Sequence, residues 1–179
     1  MTTNSLVTRV LRVLRFDIPV YKEVAGDQTA MSQAASVLVG AAILSGIGAV
    51  GQGLLAVVVT AVLSVVWFAI FSAVATQISK SLFQGKTDFQ EMGRTLGFAY
   101  AWSGVGVLGL IPFLGGLISF ISSIAATIAG IIALRESSEF DTLKAVVTVV
   151  IAAIVAGIII ALITAPIFIA LGIAQGAAS

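Results

Sequence analysis

Asp27 and Lys80 bracket 52 residues without a single Asp, Glu, Lys or Arg, and that gap restricts the fold more than any other feature of this chain. A second uncharged tract of 40 residues separates Arg94 from Arg135, and the 35 residues after Lys144 carry no charge at all. One crossing of a bilayer takes about 20 apolar residues. The first two tracts therefore hold two crossings each and the third holds one. Composition agrees: 59% of the residues are apolar and 9% charged, whereas a soluble domain has about 25% charged residues. With a mean hydropathy of +1.16, the expected solvent for most of the surface is lipid.

The long tracts break near their middles. Gly51-Gln52-Gly53 interrupts the first, and Pro112 followed by Gly115-Gly116 interrupts the second. Glycine weakens a helix interior, and proline disfavours helix in the residue before it while suiting the start of the next. The pattern predicts an all-α polytopic bundle with helices over 30–51, 54–82, 90–110, 113–135 and 141–172. Pro166 is expected to kink or end the last of these, because proline removes a helix hydrogen bond. The chain divides into an N-terminal segment 1–29, a five-helix membrane domain 30–172 and a short tail 173–179. Membrane strands would alternate apolar and polar residues, which Ile151–Ile163 does not do.

Five crossings put the N-terminus, the 80–94 loop and the 135–144 loop on one side. That side holds all nine cations and all eight acidic residues. The excess of Lys and Arg marks it as cytoplasmic, with the C-terminus outside a cell membrane. Arg9, Arg12 and Arg15 interrupt any apolar signal-peptide core. Ser5 to Phe16 instead reads as a basic amphipathic helix, with Leu6, Val7, Val10 and Leu11 among its apolar residues. Its three arginines are expected to contact lipid headgroups.

The chain has no Cys and no His, so disulfides and Cys–His or Ser-His-Asp catalysis are excluded. No metal or cofactor is expected: Glu136, Glu139 and Asp141 lack the dense spacing of a cation loop, and Gly85-Lys86-Thr87 lacks the upstream glycine of a phosphate-binding loop. No ionisable residue lies deep in a predicted helix, which disfavours ion-coupled transport. Asp88 or Thr87 is expected to cap the third helix, and Asp141 the fifth. Small residues at four-residue spacing, Gly93-Gly97-Ala101, Ser122-Ala126-Gly130 and Ala153-Gly157-Ala161, read as faces for close helix packing, with Pro112 as a turn. Arg94, Arg135, Glu136, Asp141 and Lys144 form the expected cytoplasmic interaction face.

Several of these stretches resemble one family. Gly93-Arg94-Thr95-Leu96-Gly97-Phe98-Ala99-Tyr100-Ala101, then Ile111-Pro112-Phe113-Leu114-Gly115, then Ala133-Leu134-Arg135-Glu136 and Phe140-Asp141-Thr142-Leu143-Lys144-Ala145 are similar to the prokaryotic branch of the Yip1 family. Arg15-Phe16-Asp17, Val20-Tyr21 and Asp27 also fit. The resemblance rests on order and spacing over about residues 10–165. It implies five membrane helices, a cytoplasmic N-terminus and a short C-terminus outside. Eukaryotic members of that family act in vesicle trafficking with Rab GTPases; their long N-terminal extension is not expected here, and that activity is not carried over. The expected function is a non-enzymatic membrane scaffold or adaptor, in contact with membrane lipids and with other membrane proteins or itself, and with no nucleic acid partner. The alternative is a small-solute or lipid transporter without ion-coupling residues.

Overall fold

A computed structural model describes residues 5–177, with side chains through Pro166. Among the described residues there is no strand. The elements are α1 (Leu6–Leu14), α2 (Ile18–Gly26), α3 (Met31–Ile47), α4 (Leu54–Phe83), α5 (Phe89–Ala99), α6 (Ala101–Val105), α7 (Gly115–Ser138) and α8 (Thr142–Ala177), with short 3-10 turns before α3, after α3 and after α6.

Four stretches are long and apolar enough to cross a membrane: Gln28–Ile47, Leu54–Phe83, Gly115–Ser138 and Thr142–Pro166. At 1.5 Å per residue even the shortest reaches about 30 Å, the thickness of a hydrocarbon core. Their large exposed side chains are almost all apolar, for example Val58 and Val62 on α4, Ile124 and Ile128 on α7, and Ile154 and Ile158 on α8.

The third predicted helix departs from expectation. Instead of one rod over 90–110 there is α5, a break at Tyr100, the five-residue α6 and a 3-10 turn over Gly106–Leu110. The reason is position. Arg94 through Ala99 are all buried, and α5 packs against α2, α3, α4 and α7. A segment sheathed in protein does not need an apolar exterior, and neighbouring elements can satisfy the backbone where its helix breaks. The segment still runs from one end of the bundle to the other. It starts after Gly85, which abuts Phe140, and finishes where Gly109 abuts Gly115 at the far end of α7.

Local signals account for the boundaries. The Asp88 carboxylate accepts from the Glu91 N–H at 2.7 Å, and the Asp141 carboxylate accepts from the Lys144 N–H at 2.8 Å. Each satisfies an orphan donor at a helix start. Gly53, at φ 99°, takes a conformation open to glycine between α3 and α4. Gln84 and Glu139 end α4 and α7 in the left-handed region. Pro166 does not end α8, which continues as helix to Ala177, so most of the expected tail 173–179 is helical; residues 178 and 179 lie outside those described.

The described part of the N-terminal segment 1–29 forms α1 and α2. These two helices pack on the bundle: Val13, Val20, Tyr21 and Val24 are buried in one core with Ala34, Met92, Leu96 and Leu134. Along α1, Leu6, Val10 and Leu14 face a cavity of about 400 Å³ against α3 and α6, while Val7 and Leu11 are exposed. Phe16 stacks on Trp102 with ring centroids 5.1 Å apart.

Candidate functional site: the charged end and the central cavity

The charged end is organised by Arg9. Its side chain is 1% exposed. Nε donates to Glu23 at 3.0 Å, one Nη to Asp27 at 2.6 Å and the other to Gln33 at 3.0 Å. Arg12 adds bonds to Asp17 and to the second Glu23 oxygen, both at 2.6 Å. One guanidinium therefore joins α1, α2 and the start of α3, and a planar fork of five donors suits that task. The fields act on the acids in return. Burial works against the charged form of Glu23, but the bonds from Arg12 and Arg9 outweigh it and lower its pKa. Asp27 is held down to about 2, first by the Thr29 hydroxyl and then by Arg9. Burial pushes the Tyr21 phenol above its usual range, and its hydroxyl has no partner.

Arg94 has a parallel role. It is 6% exposed and donates to the carbonyls of Ala25 at 2.7 Å and Val24 at 3.4 Å. Those are among the last carbonyls of α2, where a cation is favoured by the helix dipole. The expected headgroup and interaction residues thus divide. Arg9 and Arg94 are internal, because each finds acceptors within the chain and loses its access to lipid or a partner. Arg12 is half-buried and paired, and Arg135 sits beside Glu136 at 2.7 Å. Arg15, Asp141 and Lys144 are exposed, as are Lys22 and Lys80, which the sequence did not single out. Lys86 and Glu139 meet at 2.8 Å on the surface, which raises the Lys86 pKa and lowers that of Glu139.

The small residues also divide. A Cβ on Gly97 would lie 3.1 Å from Ala34 Cβ, so this glycine does bring α5 close to α3. Gly46 and Gly104 do the same: a Cβ on Gly46 would lie 2.6 Å from the Val57 carbonyl oxygen, and one on Gly104 would lie 3.2 Å from Ala41 Cα. Neither was expected. Gly93, Gly130 and Gly157 approach nothing, since a Cβ there meets open space. Ala101 is partly buried against the core. Pro112 sits in the exposed turn before α7, as read from the sequence.

Gly130 faces a cavity of about 410 Å³ midway along the bundle. Helices α4, α5, α7 and α8 line it, and it opens to the surface beside the exposed Val150 and Ile154. Trp67, Phe68 and Phe71 form one wall, and Leu96, Ala99 and Tyr100 form a second at the helix break. Ala126 and Gly130 on α7 and Val149 and Ala153 on α8 leave the space opposite, because their side chains are too small to fill it. The Tyr100 hydroxyl donates to the Ser64 carbonyl at 3.2 Å, and the Thr127 hydroxyl to the Ser123 carbonyl at 2.9 Å. Ser103 and the Trp67 indole add the remaining polar atoms, and the wall is otherwise hydrocarbon.

No known family model, curated protein or solved structure matches this chain.

Proposed function

We propose that this chain is a non-enzymatic integral membrane protein that presents its charged end as a docking platform at the cytoplasmic membrane surface. One observation carries the reading: the exposed ions Arg15 and Lys22 stand on a cap that Arg9 and Arg12 brace from within, and Lys80, Asp141 and Lys144 are exposed at the end of the bundle where Phe83 meets Phe140. A braced cap holds surface charges in fixed relative positions, which favours recognition because little ordering entropy is lost on binding. The opposite end, around Gln52 and Phe113, offers no charge. The sequence motifs that resemble the Yip1 family would imply five crossings with the N-terminus inside, with Phe89–Leu110 as the third. The positive-inside rule gives the same orientation.

Transport of a hydrophilic solute is less well supported, since the cavity wall is chiefly apolar and its Tyr100 and Thr127 hydroxyls are already bonded to backbone. A photo-crosslinking residue at Lys22 or Lys144, compared with one at Gln52 or Phe113, tests the platform. The expected result is a discrete protein adduct from the charged end alone, lost when Lys80 and whichever of Lys22 and Lys144 does not carry the probe are changed to Glu. Equal adducts from both ends, or adducts that survive the charge reversal, would refute it.

A further inference from the structure

We propose that the central cavity seats one hydrocarbon chain of a bilayer phospholipid. The proposal rests on the membrane reading but is independent of the platform. Trp67 and Phe71 lie near the middle of α4, Gly130 near the middle of α7, and Tyr100 midway along the 89–110 segment. If the long helices cross a bilayer, these residues sit in its hydrocarbon layer, where acyl chain is the abundant material and water is scarce. The wall suits that occupant. Its aromatic and aliphatic surface matches a chain, and its Tyr100 and Thr127 hydroxyls are turned to backbone acceptors, so no charged group waits for a polar ligand. The volume of about 410 Å³ lies within the range of sites for small molecules. The helix break at Tyr100 fits as well, because irregular backbone at membrane depth is tolerated where it is sheathed by protein or lines a cavity.

The chain carries its own reporter. Of its two tryptophans, Trp67 lines the cavity while Trp102 stacks on Phe16. A Trp102→Phe variant in nanodiscs, titrated with phospholipid brominated along its acyl chains, reads contact at Trp67 alone. The expected result is quenching with a saturable component at low mole fraction of brominated lipid. Gly130→Leu fills the cavity from a position where a side chain meets open space, and it is expected to abolish that component. Ala153→Leu does the same from α8, should the first variant fold poorly as judged by helicity. Quenching that rises only in proportion to bulk lipid, or that is unchanged by both fillings, would overturn the proposal and leave the membrane reading standing. Saturable quenching by brominated free fatty acid but not by brominated phospholipid would overturn the assignment to a bilayer lipid. A protein that stays dispersed in water without detergent would overturn both readings together.

Discussion

Arg9→Ala should release the N-terminal cap, by an amount that follows from the geometry. Removing one partner of a fully buried ion pair costs about 3–5 kcal/mol. Arg9 is buried, but its acceptors Glu23 and Asp27 remain 30% and 24% exposed, so water can rehydrate them once the guanidinium is gone. Arg12 also keeps its hold on Glu23. These two facts bring the expected cost to about 2–3 kcal/mol, which raises the population of the undocked cap about 30- to 150-fold. The chain has no cysteine, so a single Val13→Cys, at a position with no exposed surface, reports undocking without background. Its maleimide labelling in native membranes should accelerate by that factor in the Arg9→Ala background. Asp27→Ala should cost less alone, and the double variant should fall short of the sum, because both changes break one bond. Acceleration below about threefold, or strict additivity, would refute the assignment of Arg9 as the brace.

Acid should undock the same cap. Glu23 and Asp27 have folded-state pKa values below their usual range, so their contribution is complete above about pH 5 and is lost as the pH falls through those values, toward about 2 for Asp27. Trp102 fluorescence in a Trp67→Phe variant, sensitive to the Phe16 stack, should stay constant between about pH 5 and 8 and change only below about 5. A Gly46→Ala variant should lower thermal stability in detergent by about 1–3 kcal/mol, because the added carbon would press on the Val57 carbonyl oxygen, a backbone atom that cannot swing aside. Gly130→Ala should instead be neutral or stabilising by up to about 1 kcal/mol, through helix propensity in open space.

What the sequence could convey was local. Asp88 and Asp141 announce helix starts because a cap bonds two or three residues along the same chain. Gly51-Gln52-Gly53 and Pro112 break the uncharged tracts through their own backbone preferences. The partners of Arg9 stand 14, 18 and 24 residues away, and no periodicity links them. An arginine on an amphipathic helix looks the same from sequence whether its acceptor is a lipid phosphate or a carboxylate on the next helix. Burial of α5 and the break at Tyr100 were hidden for the same reason, since only the neighbours decide whether a helix meets lipid. The small-residue rows were visible, but a row that closes an interface and a row that leaves a cavity read alike. Gly97 does the first and Gly130 the second.

Labelling single cysteines in intact cells with a membrane-impermeant maleimide is the most direct test of a lipid-embedded bundle with one wet, charged end. Cysteine at Lys22, Lys86 or Lys144 should react only after the cells are opened, whereas cysteine at Gln52 or Phe113 should react from outside. Labelling of all five from one side, or the reverse pattern, would contradict the account.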